Sequence, residues 1–135
     1  MQVVSPIDIE DALRIDLNAI NDAVYNDARF FAPPIPPDLK AGDVLIERVG
    51  GARVCPASHE YDVSVDCYAE NDADAVEMAN YVQGLLTSLP LRDTSQQYSN
   101  ATAGIPYANF DQRAPQLARQ TFRATVTCTG SRINF

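Results

Sequence analysis

Tyr61-Asp62-Val63-Ser64-Val65-Asp66-Cys67-Tyr68-Ala69 alternates without a break. Tyr61, Val63, Val65, Cys67 and Ala69 fall on one side, and Asp62, Ser64, Asp66 and Tyr68 on the other. That is the period-two signature of a strand with one buried face. The chain then passes at once into a helical pattern. Asn71 or Asp72 suits the N-cap and Asp74 the first turn, and Ala75, Val76, Ala79, Val82, Leu86 and Leu89 trace one stripe before Pro90 stops it. Gly84 inside this helix costs about 1 kcal/mol relative to alanine, which predicts a close neighbour that needs the space.

Working outward, a second alternating run closes the chain. Ala118, Gln120, Phe122, Ala124, Val126 and Cys128 face one way, with Arg119, Thr121, Arg123, Thr125 and Thr127 opposite, and Thr129-Gly130 ends it. Toward the N-terminus, Ile9, Leu13, Leu17, Ile20 and Val24 predict an amphipathic helix over roughly residues 6–25, capped by Ser5 with Pro6 at its first position. Its other face, with Asp11, Arg14, Asp16, Asn18 and Asp22, is expected to meet solvent or a partner. Val44, Leu45, Ile46 and Val49 predict a short strand, with Gly50-Gly51 as a hairpin turn into Ala52-Arg53-Val54.

Two segments break these patterns. Phe30-Phe31-Ala32-Pro33-Pro34-Ile35-Pro36-Pro37 opens a stiff, extended arm over residues 30–42, and its apolar side chains either fold back on the core or dock on another subunit. Residues 91–104 are polar and unpatterned, a long loop whose removal is expected to leave a folded protein. Ile105-Pro106-Tyr107-Ala108-Asn109-Phe110 reads as a short edge strand. The whole predicts one α+β domain over residues 1–135, an antiparallel or mixed β-sheet with two amphipathic helices packed on one face.

Composition narrows the function. The net charge of −8 disfavours wholesale coating of nucleic acid, and no apolar run approaches the ~20 residues of a membrane span. The N-terminus lacks the pattern of a secretion signal, so Asn100-Ala101-Thr102 reads as a chance sequon. Charge is unevenly spread. Through Glu77 there are 16 acidic residues against Arg14, Arg29, Lys40, Arg48 and Arg53; beyond it, Asp93 and Asp111 face Arg92, Arg113, Arg119, Arg123 and Arg132. Halves of opposite sign suit head-to-tail contacts between subunits, or pair within one chain.

Chemistry-bearing patterns are sparse. Cys55, Ser58 and His59 could be drawn as nucleophile and base with Asp62 orienting the ring, but side chains this close in one loop seldom converge. With one histidine, no paired-histidine zinc motif can form, and Asp62 and Asp66 would lie about 13 Å apart along a strand. No phosphate-cradling glycine motif occurs. No catalytic residue, metal site or cofactor is expected. Cys55, Cys67 and Cys128 read as reduced thiols, with a Cys67–Cys128 bridge open only if their strands adjoin.

The order of elements resembles the tail terminator (tail completion, or neck) proteins of tailed bacteriophages. The resemblance runs from the first helix through the Val44–Val49 strand, the Tyr61–Ala69 strand, the Ala75–Leu89 helix and the closing Arg119–Val126 strand. It implies a structural virion protein at the head–tail interface, assembled in the bacterial cytoplasm. A ring, usually of six copies, would cap the tail tube, touch the head-completion protein and let DNA through without binding it specifically. A chain of this size is ~37 Å across, so six in a ring leave a hole of about that width, ample for a duplex of about 20 Å. Asp62 and Asp66 are the candidates for lining the channel. Phe30, Phe31, Ile35, Arg92, Tyr98, Arg119 and Arg123 are the candidates for contacts with neighbouring subunits and partners, the tail-tube protein among them.

Overall fold

The computed structural model describes residues 2–5, 7–21, 28–55, 57–129 and 131–134. The predicted α+β architecture holds: a mixed sheet of six strands carries two helices on one face. In chain order the elements are β1 (Gln2–Ser5), α1 (Ile9–Ile20), β2 (Arg29–Phe31), β3 (Asp43–Cys55), β4 (Ser58–Ala69) and α2 (Asp72–Thr87). A 3₁₀ turn at Leu89–Leu91 follows, then β5 (Tyr98–Ala103), β6 (Tyr107–Ala108), β7 (Ala118–Thr129) and β8 (Ser131–Asn134). The main sheet runs β2-β3-β4-β7-β5, with β6 also on β7, and β1 pairs with β8 as a separate ribbon. Among the described strands only β2 lies parallel to its neighbour.

The alternation in β4 sets the core. Tyr61, Val63, Val65 and Cys67 are buried and meet Ile9, Leu13 and Leu17 of α1 and Met78, Ala79, Val82, Leu85 and Leu86 of α2. Phe122, Ala124, Val126 and Cys128 of β7 complete this layer. Removing one such leucine would cost about 2–5 kcal/mol, so this layer carries most of the stability.

Local capping differs at one helix and matches at the other. α1 begins later than the stripe predicts: Asp8 is its N-cap, accepting from the Asp11 N–H at 3.2 Å, while Ser5 pairs in β1. Pro6, Asp22 and Val24 lie outside the described residues. At α2 the Asn71 side chain accepts from the Asp74 N–H at 2.9 Å, as its sequence suggests. The α2 stripe is shifted, since Met78 and Leu85 are buried and Val76 is exposed. Gly84 faces open space, so no neighbour explains it.

Two loops of the sequence reading turn out differently, and the Pro-rich arm takes one of its two expected arrangements. Gly50-Gly51 is no hairpin turn: β3 runs through it for 13 residues with a register shift between Arg48 and Gly50, and the chain reverses between Cys55 and Ser58. A bulge uses glycine for the same conformational freedom as a turn, so the dipeptide alone misleads. At Gly51, φ is +152° and an added Cβ would sit 2.5 Å from the Glu60 carbonyl oxygen, so only glycine fits. Residues 91–104 are not structureless, because Tyr98–Ala103 form β5 on β7. Deleting that stretch would therefore remove a sheet strand. The Pro-rich arm folds back on its own chain: Phe30 joins the main core, and Phe31, Ile35 and Leu39 pack with Leu45, Tyr68, Ala114 and Leu117 on the opposite face.

All three cysteines are free. Cys67 pairs with Gln120, whereas Cys128 pairs with His59. Eight residues along β7 separate the two thiols' positions, about 26 Å and far beyond disulfide reach.

Candidate functional site

The face of the sheet away from the helices is open and polar over its middle. Cross-strand rows set Asp66 beside Thr121, Ser64 beside Arg123, and Asp62 beside Thr125 and then Thr102. Directly opposed residues project to the same side, so these side chains share one surface. Asp62 accepts from Thr125 Oγ1 at 2.8 Å and Asp66 from Thr121 Oγ1 at 2.7 Å. Both channel-lining candidates therefore stand half-buried on one hydroxyl-rich face, oriented by threonines. Each threonine donates its proton to a carboxylate, and the exposed Arg123 places a cation between the two aspartates on the same surface.

One end of this face is closed by a charged knot beneath the Pro-rich arm. Tyr68 was expected on the solvent side, yet it is fully buried there, and its hydroxyl donates to Asp111 at 2.7 Å. Asp111 also accepts from Arg113 Nε and Nη2 at 3.0 Å each and lies 3.4 Å from Arg119. The Arg113 hydrogen bonds hold its carboxyl well below the usual range, against burial, and burial with the Asp111 contact pushes the Tyr68 phenol up to about 12. Arg119 reaches Asp66 at 3.7 Å and donates to the Asn109 carbonyl at 2.6 Å, so this candidate contact residue is committed to its own chain.

A second carboxylate works the same way on the helix side. Asp16 was expected at the surface but is 1% exposed. It accepts from Ser95 N–H at 2.8 Å, Ser95 Oγ at 2.6 Å, Gln96 N–H at 3.2 Å and the Tyr98 hydroxyl at 2.8 Å. Burial works to raise its pKa, but the hydrogen bonds from Ser95, Tyr98 and Gln96 together bring it below the ordinary value. Tyr98 is thus an anchor, turned inward.

The remaining contact candidates divide by exposure. Phe30 is 2% exposed and unavailable to a partner, whereas Phe31 and Ile35 are half-buried against the second cluster. Arg92 is exposed and donates to Ser88 Oγ at 2.9 Å. Arg123 is exposed on the open face. Sequence reading missed Ile105 and Phe110, which are 87% and 63% exposed beside β6, and Leu91 at 91%. Leu91 stands alone in a polar stretch, and Ile105 and Phe110 bound a short edge strand with no period that marks them as exposed.

The Cys55-Ser58-His59 grouping does not assemble as a nucleophile and base. His59 lies within β4, not in a loop, and both its ring nitrogens are buried with no hydrogen-bond partner. Burial, and then the Arg53 charge, push its pKa down. Asp62 is engaged with Thr125 on the opposite face and cannot orient the ring. Among the described residues no group of three or more His, Cys, Asp or Glu side chains could hold a metal ion, and no helix is long and apolar enough to cross a membrane.

The class these features define is an α+β domain with one helix-covered face and one open, hydroxyl- and carboxylate-bearing face. No family model and no curated protein matches the chain. The fold recurs in a solved structure titled "Virion of native gene transfer agent (GTA) particle". One chain of it matches with a TM-score of 0.56 at 17% identity, over 91% of this chain and 98% of that one. At that identity the likeness is one of fold, and it extends over almost the full length of both chains.

Proposed function

We propose that this chain is a structural protein of a phage-type virion. Six copies form a ring at the head–tail joint that caps the tail tube, contacts the head-completion protein and lets DNA pass. The observation that carries the reading is the end-to-end likeness of fold to a chain of a virion particle. The open sheet face supplies the physical part. Six copies bring a net charge of about −48, and in the lumen Asp62 and Asp66 repel phosphate while Arg119, paired with Asp66, and the exposed Arg123 moderate that repulsion, so the genome slides without being gripped.

Electron microscopy of purified protein tests the assembly. Closed rings support a terminator; long fibres favour the second reading, a tail-tube subunit. Labelling this chain in mature particles tests the place, and label anywhere other than the axis between capsid and tail refutes it. Asp62→Asn with Asp66→Asn keeps the threonine contacts and removes two charges per subunit. Slower DNA ejection is expected, and an unchanged rate counts against a channel lined by these two residues.

A further inference from the structure

The outer half of the β3–β4 hairpin projects beyond the helices: β3 is exposed from Glu47 to Cys55. A groove of about 580 Å³ lies along it, bordered by Arg48, Arg53 and Tyr61 with His59 at its floor. Its charged lining is Arg48 and Arg53 against the exposed Glu60, a balance of one positive charge. Tyr61 is buried and its Oη accepts from the Ile7 N–H at 2.9 Å, while both nitrogens of the buried His59 ring lack a hydrogen-bond partner. No ion pair among the described residues uses Arg48. Val49 and Val54, both exposed, add apolar surface nearby. Such a groove suits a carboxylate-bearing segment with an apolar residue beside it.

This chain carries such a segment at the far end of the same strand. Glu70, Asp72, Asp74 and Glu77 are exposed where β4 enters α2, with Val76 exposed between them. None of these acids takes part in an ion pair among the described residues. The 12 residues of β4 put this corner about 40 Å from the hairpin's end, too far to reach its own groove. Complementary patches at opposite poles of one molecule produce head-to-tail contacts between copies, the type that closes into rings.

We propose that the groove floored by His59 receives the acidic corner at residues 70–77 of a second copy of this chain. The contact rests on the ring reading above and names the surfaces that build it. Sedimentation of the full-length chain tests it, with urea unfolding to confirm that each variant folds. Arg48→Glu and Asp72→Lys are each expected to weaken self-association about 30-fold, the scale of a truncated interfacial charge pair. Combining both in one chain restores it. Ring formation by either single variant at the wild-type concentration overturns this contact while leaving the ring standing. Single variants that weaken association without recovery in the double variant also overturn the pairing. A wild-type chain that stays monomeric at hundreds of micromolar overturns the ring and the contact together.

Discussion

Asp16→Ala should be among the most damaging substitutions of a charged residue in this protein. The carboxylate accepts four hydrogen bonds, two from backbone N–H groups and two from hydroxyls, and it is the tie between α1 and the chain entering β5. Hydrogen bonds to a charged group contribute about 1.5–3 kcal/mol each, but water can reach Ser95 and Gln96 once the carboxylate is gone. The Tyr98 hydroxyl stays buried and unpaired, costing about 1–3 kcal/mol, and a small cavity adds to it. The net loss is about 3–4 kcal/mol. With a urea m-value of about 2 kcal/mol/M, the unfolding midpoint should fall by about 1.5–2 M at pH 7. Tyr98→Phe alone should cost about 1 kcal/mol, and the double variant should lose less than the sum, because both changes break one bond.

The pH dependence provides a second check on the same residue. Asp16 has a folded pKa below its unfolded value, so its stabilisation is complete above about pH 4 and disappears as pH falls through the folded value. The variant should lack that part of the acid-side slope. A midpoint shift below about 0.5 M, or an unchanged acid-side slope, would refute the argument that this carboxylate staples the segment.

Two further outcomes follow from other sites. Gly84→Ala should raise stability by about 0.5–1 kcal/mol, since the added methyl meets nothing within 4 Å and the helix gains propensity; thermal unfolding checks it, and a lower Tm contradicts it. His59→Phe should flatten the stability profile below about pH 6.5. The folded imidazole has a lowered pKa, so below pH 6.5 the unfolded chain binds the extra proton and wild-type stability falls by up to about 1.4 kcal/mol per pH unit. Equal slopes in the two proteins would mean that His59 titrates normally.

What the sequence makes legible is the half-buried part of the fold. β4 and β7 alternate because one face meets the helices and the other water, so their pattern survives without tertiary knowledge. Tyr68 breaks the rule because a distant Pro-rich segment covers its end of the open face, which no local period encodes. β5 went unread because its inward positions after Tyr98 are Ala101 and Ala103, too small to stand out against Ser99, Asn100 and Thr102. Asp16 was recoverable: residues 13, 16, 17 and 20 share one helical stripe, so a carboxylate among them signals a buried partner. The groove at His59 was not, because its walls come from both arms of a hairpin whose turn the diglycine misplaced.

β2 covers β3 only as far as Leu45, and beyond it the outer rim of that strand has no neighbour in the sheet among the described residues. There, Glu10 Oε2 occupies the Arg48 N–H at 2.8 Å, a single plug on an otherwise ragged row of amides and carbonyls. Newly made chains crowded together can zip along that row in the wrong register as readily as in a useful one. Overproduction without its natural companions should therefore yield β-rich precipitate, and a lysine in place of Val49 should keep the material in solution.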